Sequence, residues 1–426
     1  MDRQADFQLC SRREFVVATG LFLAGTTISC SKHDEGKTAA NNTTKKSILT
    51  IPTEAPVIRI RIGKVRARTA VKIGETQVSR SKGRWYTSGN NPPHARTGKS
   101  ISFGPLTKCN VVDGNKSKSI TGRVEFFPRE DISSQAFDVV ATVPVERYLP
   151  GVLAGELYAH WHPTTFAAQA IAARSYAIAH HLQRSKISHY DVSDDTSSQM
   201  FLGDVPLEVA HRAVAETSGL VLSWNNTVIP AYYSACCGGI AATATDAISD
   251  SALHDITPLF GHEGNDSCMS LEVHSWFTKR DARTLRKRLN ACSQSMQLPE
   301  LDLIRSIRSI DPSEENAHGR PNKLVIVDRQ RKAVEVRTRD LVRAVNASVA
   351  SLPAPPQTIM SSFLSGKKNG SDVAFEGYGM GHGVGLCQYG AQELAGRGRT
   401  FEDILSWYYP QAELHAIPSD PLNTIA

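Results

Sequence analysis

Residues 160–183 read "HWHPTTFAAQAIAARSYAIAHHLQ", and the rest of the chain is best read outward from them. Pro163 sits where a helix's first turn tolerates a missing N–H. From there to about Gln183, good helix formers run on without a break. The spacing predicts one long helix, and its alanines would let a neighbouring helix or sheet pack unusually close. Working back, "PVERYLPGVLAGEL" from Pro144 predicts a shorter helix, interrupted near Pro150-Gly151.

Upstream the pattern changes. In "VIRIRIGKVRARTAVKIG", starting at Val57, Ile58, Ile60 and Ile62 alternate with Arg59 and Arg61, the period of a half-buried strand. "GRVEFFP" and "FDVVATVPV" continue in the same manner, so residues 57–143 are predicted to be β-rich. Downstream, a helix is expected from Leu207 to Ser218, ending at Gly219, with strands at "LVLSW" and "VIPAYYSA". "SWFTKRDARTLRKRLNAC" predicts a helix, "KLVIVD" with "AVEVRT" a hairpin, and "RTRDLVRAVN", "QYGAQELAGRG" and "TFEDILSWYYP" three more helices. The expected fold class is α+β, with mixed helices and strands in a core spanning 144–412 and a tail at 413–426.

The chain of 426 residues is 41% hydrophobic and 21% charged, enough for a globular core and two or three domains. Its net charge of +6 suits anionic envelope polymers and nucleic acid alike. The basic residues scatter rather than cluster with aromatics, so nucleic acid is not an expected partner. Within 1–30, "SRREF" (Ser11 to Phe15) precedes a short apolar run, a pattern that looks like a twin-arginine export signal. The run is too short for a comfortable membrane span. Small residues before Cys30 look like a lipoprotein cleavage site that would leave Cys30 as a lipidated first residue, although Thr27 stands where such sites prefer leucine. Residues 31–56 then read as a disordered tether. The expected location is the cell envelope, periplasmic or on the outer face of the membrane, held through the lipid anchor.

A second decisive stretch is "GYGMGHGVGLCQYGA", Gly377 to Ala391. In a strand-like segment its alternating glycines leave one face bare for close approach of a backbone or ligand. A flexible glycine-rich loop is the blander reading. The absence of a following Lys-Ser/Thr excludes a phosphate loop.

Four ordered motifs now bear on function. They are Tyr148-Leu149, Gly151-Val152 and Glu156 with Ala168 to Tyr176; "DDTSSQMFLG" (194–203); "AYYSACCGG" (231–239); and Gly381 to Ala391. Together they resemble the stage II sporulation protein D family, which includes amidase-enhancer proteins, over roughly residues 57–412. The resemblance implies action on peptidoglycan glycan strands as a lytic transglycosylase, cutting between N-acetylmuramic acid and N-acetylglucosamine with a 1,6-anhydro product. One carboxyl group suffices for that chemistry: it protonates the leaving oxygen and then takes the proton of the sugar's C6 hydroxyl. Ordinary glycosidases need a second carboxylate.

Glu156 falls on the family's catalytic position, and apolar neighbours such as Leu153, Leu157, Tyr158 and Trp161 would raise its pKa. Leu157-Tyr158 departs from the Met-Pro that many members carry, and Ala167 from a frequent lysine; both bear on substrate preference. Arg174 is either a solvated helix-face residue or a groove residue that contacts sugar or holds Glu156; the resemblance favours the groove. Tyr176, Asp195, Thr196, Gln199 and Gln388 are expected groove lining. Tyr233 and Tyr389 either stack on sugars or sit in the core. His382 is either bonded to backbone in a tight turn or in the groove beside Tyr378.

Some family members hold zinc around the "DDTSSQ" segment, but no cysteine stands there in this chain. No metal and no cofactor is therefore expected. For Cys236, Cys237, Cys268 and His274, a Cys237–Cys268 disulfide is preferred over zinc, because the spacing is not a standard zinc pattern and the protein is expected to be exported. Twin-arginine export, which often carries cofactor-loaded proteins, keeps zinc as the minority reading. The expected partners are glycan strands and an N-acetylmuramoyl-L-alanine amidase. The competing readings are a non-catalytic amidase enhancer and a wall-binding module.

Overall fold

A computed structural model describes residues 49–419, apart from 67–68, 90–94, 98–99 and 115. The expected export signal, Cys30 and residues 31–48 of the tether lie outside the described residues; the end of the expected tether is ordered, with Leu49 buried and Thr50 bridged to Thr227.

The β-rich first part forms a nine-stranded sheet. From one edge its order is Arg84–Ser88, Thr76–Ser81, Val71–Ile73, Ser100–Asp113, Lys116–Pro128, Phe137–Pro144, Val57–Val65 and Val192–Ser193, while Ala95–Thr97 pairs with Ser100–Asp113. The alternation read at Val57 holds: Ile58 and Ile60 are fully buried. Val57–Val65 runs antiparallel to Phe137–Pro144 and parallel to Val192–Ser193. That last pairing leads segment 194–203 towards the helices.

Directly after Pro144 comes α1 (Val145–Glu156), and then α2 (Pro163–Arg184). Pro150 does not interrupt α1 as expected. It lies inside the helix and withholds only the one N–H that would have reached the Glu146 carbonyl. The start of α2 is capped by His162, whose Nδ1 accepts from the Thr164 N–H at 3.2 Å. Every residue from Thr165 to Ala179 is buried, so α2 is a core helix on all sides.

Glu208–Glu216 is helical, and Leu220–Trp224 pairs with Thr227–Val228 and with Glu413–Ala416, so the expected tail begins as a strand. Of the expected strand "VIPAYYSA", only its first residue, which ends the strand Thr227–Val228, and Tyr233–Ser234 are extended; the latter runs parallel to Leu386–Cys387.

A six-stranded antiparallel sheet has its own hydrophobic cluster with the helices Ala282–Met296 and Thr338–Asn346. Its order is Ser275–Asp281, Asp372–Tyr378, Phe363–Asn369, Ser309–Glu315, Pro321–Val327 and Ala333–Arg337. The last two make the expected hairpin. The helix expected from Ser275 starts only at Ala282: Thr278 and Arg280 are buried with a strand's period of two, and Asp281 caps the helix by accepting from the Thr284 N–H at 2.8 Å.

The glycine segment stops being a strand at Tyr378. Gly379, Gly381, Gly383 and Gly385 all have positive φ, from 65° to 102°, which side-chain-bearing residues rarely adopt. A Cβ on Gly385 would sit 2.1 Å from the Tyr232 carbonyl oxygen. The close approach is therefore to a backbone, that of the 232–238 segment.

Candidate active site

Glu156 ends α1, and the residue before it sets its surroundings. A Cβ on Gly155 would lie 2.8 Å from the Met200 carbonyl oxygen; without one, the chain at Met200 runs against the helix. The Met200 N–H thereby donates to Glu156 Oε1 at 2.8 Å. The Tyr233 hydroxyl approaches the same oxygen at 3.4 Å, and Gln388 Nε2 donates to Oε2 at 3.3 Å. Burial pushes the carboxyl above its usual range, and these three donors only partly offset the rise. All three are neutral. The residue as a whole is only half-buried, but its carboxyl is held in a mostly dry place.

A second layer orients the first. Gln199 is fully buried; it accepts from the Tyr148 hydroxyl at 3.0 Å and donates to the Ala173 carbonyl at 3.2 Å and to the Tyr233 oxygen at 2.9 Å. Because Tyr233 oxygen accepts from Gln199, its own proton is directed at Glu156. Gln199 is thus a positioning residue and not the groove lining expected of it. Gln388 also reaches the Gln169 oxygen at 3.5 Å. Tyr176, buried and with its hydroxyl pushed up to about 12 by burial, packs edge-on against Tyr232 and Tyr233. Tyr389 meets Trp161 edge-on at 5.1 Å, with Tyr158 beside that indole.

Arg174 is a correction. It is 0% exposed, and its guanidinium forks onto Glu146 at 2.9 and 2.7 Å rather than reaching the groove or Glu156. It also donates to the Leu220 carbonyl at 3.0 Å, tying α2 to the following strand. Its place in the middle of an all-round buried helix rules out contact with sugar.

His382 is of the backbone-bonded kind. Its Nδ1 accepts from the Val384 N–H at 3.0 Å, and burial lowers its pKa to about 4, so the ring is neutral near pH 7. Tyr378 stacks on His274, beside Phe363. Asp195 is half-buried and paired with Lys64 at 2.6 Å; burial raises its carboxyl, but Lys64 and Ser197 bring it below the usual range. Thr196 is exposed. Met200, Gln169 and Tyr148 were missed as contributors. The last two stand inside the quoted motifs, where they read as framework; Met200 acts through its backbone, which no side-chain pattern reveals.

The expected Cys237–Cys268 disulfide is not formed: the sulfurs are 3.6 Å apart, against about 2.0 Å for a bond. His274 turns its Nδ1 to the Leu271 carbonyl at 2.8 Å and takes no part in the cysteine group. Its place is taken by Asp266 and Cys387, which come together with Cys237 and Cys268, ligand atoms within 4.8 Å of one another.

A family model described as "Stage II sporulation protein" matches residues 133–224, from the last strand before α1 through Leu220–Trp224. An uncharacterized protein of Brachyspira hyodysenteriae is 26% identical over 68% of this chain and 70% of its own length. The amidase enhancer of Bacillus subtilis is 25% identical over 62% of this chain and 40% of its own. Stage II sporulation protein D of the same organism is 24% identical over 65% and 75%, respectively.

Proposed function

Because the chain belongs to the stage II sporulation protein D and amidase-enhancer family, with the cell-wall-related role this carries, we propose that it is a peptidoglycan lytic transglycosylase in which Glu156 is the single acid/base. The observation that carries the reading is the carboxyl itself: raised by burial and flanked only by neutral donors. Such a group is protonated closer to neutrality than a surface glutamate, as an acid for a glycosidic oxygen must be.

In the proposed reaction Glu156 gives its proton to the bridging oxygen as the bond from the muramic acid C1 breaks. The C6 hydroxyl oxygen then bonds to C1, and its proton returns to Glu156. Water is neither consumed nor released. Met200 and Tyr233 hold Oε1, which leaves Oε2, anchored by Gln388 alone, as the oxygen that exchanges the proton. Tyr389 and Trp161 offer an aromatic edge along which a sugar could lie.

The competing reading is an amidase enhancer that binds glycan without cutting it, and it is favoured by the relative of that name. Export and lipidation at Cys30 belong to the proposal through the sequence of residues 11–30; among the described residues no helix is long and apolar enough to cross a membrane. The test is mass spectrometry of products from purified glycan strands, with and without stem peptides, using wild type and Glu156→Gln. Anhydro-muramyl ends produced by wild type alone are expected. Their absence on both substrates, with glycan binding retained, would replace the enzyme with the enhancer.

A further inference from the structure

Behind the Glu156 site, three segments of chain converge on a buried knot of sulfur. Cys237 follows the strand Tyr233–Ser234, Asp266 and Cys268 sit at the short turn Ser267–Ser270, and Cys387 ends Leu386–Cys387 and caps the helix Gln388–Gly396. All four side chains are at most 2% exposed, and one ligand atom from each lies within 4.8 Å of the others. The 3.6 Å between the Cys237 and Cys268 sulfurs is close to the edge of a tetrahedron with bonds of about 2.3 Å, which is about 3.8 Å.

The polar groups around the knot are a second, independent observation. Asp266 Oδ1 accepts from the Cys268 N–H at 2.8 Å, but its Oδ2 has no hydrogen-bond partner, although His262 Nε2 lies 3.3 Å away. The buried Tyr408 hydroxyl faces the same carboxylate, yet neither it nor His262 Nε2 makes a well-aligned hydrogen bond. Buried polar atoms seldom go unsatisfied, and a cluster of them marks something missing from the account. The Cys387 sulfur accepts two backbone N–H groups, from Cys237 at 3.3 Å and from Gly390 at 3.4 Å, while a thiol proton there would find only the Ala235 carbonyl, at 3.8 Å. Arg320 is 1% exposed and donates to the carbonyls of Cys237 and Ile240, with no carboxylate pairing it among the described residues. A buried guanidinium needs compensating negative charge, and thiolates beside it supply that.

We propose that Cys237, Cys268 and Cys387, with Asp266 as the oxygen ligand, form a closed structural zinc site. Thiolates select a soft, tetrahedral ion, and burial of all four ligands leaves no open position for catalysis. Ligand and metal charges together stay negative, which Arg320 partly offsets. The site would clamp both carriers of the Glu156 donors: Cys387 immediately precedes Gln388, and Cys237 lies shortly after Tyr233. It is independent of the reaction proposed above, since an enhancer could need the same clamp.

The full chain, isolated after export without chelators, is the material for elemental analysis and zinc-edge X-ray absorption. About one zinc per chain is expected, with three sulfurs at about 2.3 Å and one oxygen at about 2.0–2.2 Å. Chelation should release the zinc, lower the melting temperature and expose three thiols to a reactive probe. Cys268→Ser should lose the metal, whereas Cys292→Ser, in the other hydrophobic cluster, should keep it. If Cys268→Ser fails to fold, the wild-type measurements decide. A metal-free chain, a Cys237–Cys268 disulfide in non-reducing peptide maps, or a four-sulfur shell that includes the adjacent Cys236 would each overturn the assignment.

Discussion

The two ends of α1 each carry a glutamate, and the helix treats them oppositely. Glu146, in its first turn, is 2% exposed; its carboxylate meets the Arg174 fork and accepts the Gly219 N–H at 3.2 Å. Glu156, in the last turn, is half-buried and meets only an amide N–H, a phenol and a carboxamide. A buried carboxylate with a bidentate cation becomes a structural strut. One with neutral donors keeps the cost of desolvation as a raised pKa, and so can act as an acid near neutrality. The contrast teaches that burial alone does not raise a carboxyl's pKa: the absence of a cation beside it does.

The sharpest way to break the contrast is to remove the acid. Glu156→Gln should lower the release of anhydro ends by about 10²–10⁴-fold or more, while circular dichroism and glycan binding stay unchanged. At the other end of the helix, Arg174→Ala should leave the chemistry untouched in whatever protein folds, yet cost about 3–5 kcal/mol in denaturant unfolding by stranding Glu146. Pairing it with Glu146→Ala should recover part of that loss in a double-mutant cycle.

A smaller effect concerns pH. With its native pKa raised, Glu156 holds its proton over a range in which the unfolded chain has released it. The native state therefore binds more protons there, and stability falls as pH rises from the ordinary carboxyl value to the raised one. Each tenfold gain in proton affinity on folding makes that loss larger by about 1.4 kcal/mol. Thermal melts across that range should show the slope in wild type and its absence in Glu156→Gln. Activity should decline across the same window as the acid ionises. Smallest of all, Tyr233→Phe removes a donor that lowers the Glu156 pKa, so the alkaline limb of the pH–rate profile should move up, though only slightly given the 3.4 Å separation. A move downward would mean that Tyr233 does not donate to the carboxylate.

Much of this was legible in the residues. Pro163 and the unbroken helix formers after it located α2, the Ile58/Ile60 alternation located a strand of the first sheet, and the motif at Glu156 pointed to the carboxyl. The errors share a cause: each was local pattern overruled by distant packing. Arg174 reads as surface or groove until the all-round burial of α2 is seen. Ser275–Asp281 merges with the helix behind it until Asp372–Tyr378 pairs along its whole length. Cys237 and Cys268 suggest a disulfide until Cys387 and Asp266 arrive from elsewhere in the chain.

What the sequence determined alone is therefore whatever depends on neighbours along the chain: helix formers, alternation, caps, and the glycines whose backbone other residues cannot copy. The tertiary structure decided which carboxylate gained a cation, which hydroxyl points at Glu156 and which sulfurs share one buried space. Those outcomes depend on distances of a few ångströms between residues far apart in sequence, where hydrogen bonding and desolvation are decided, and periodicity carries no record of such distances.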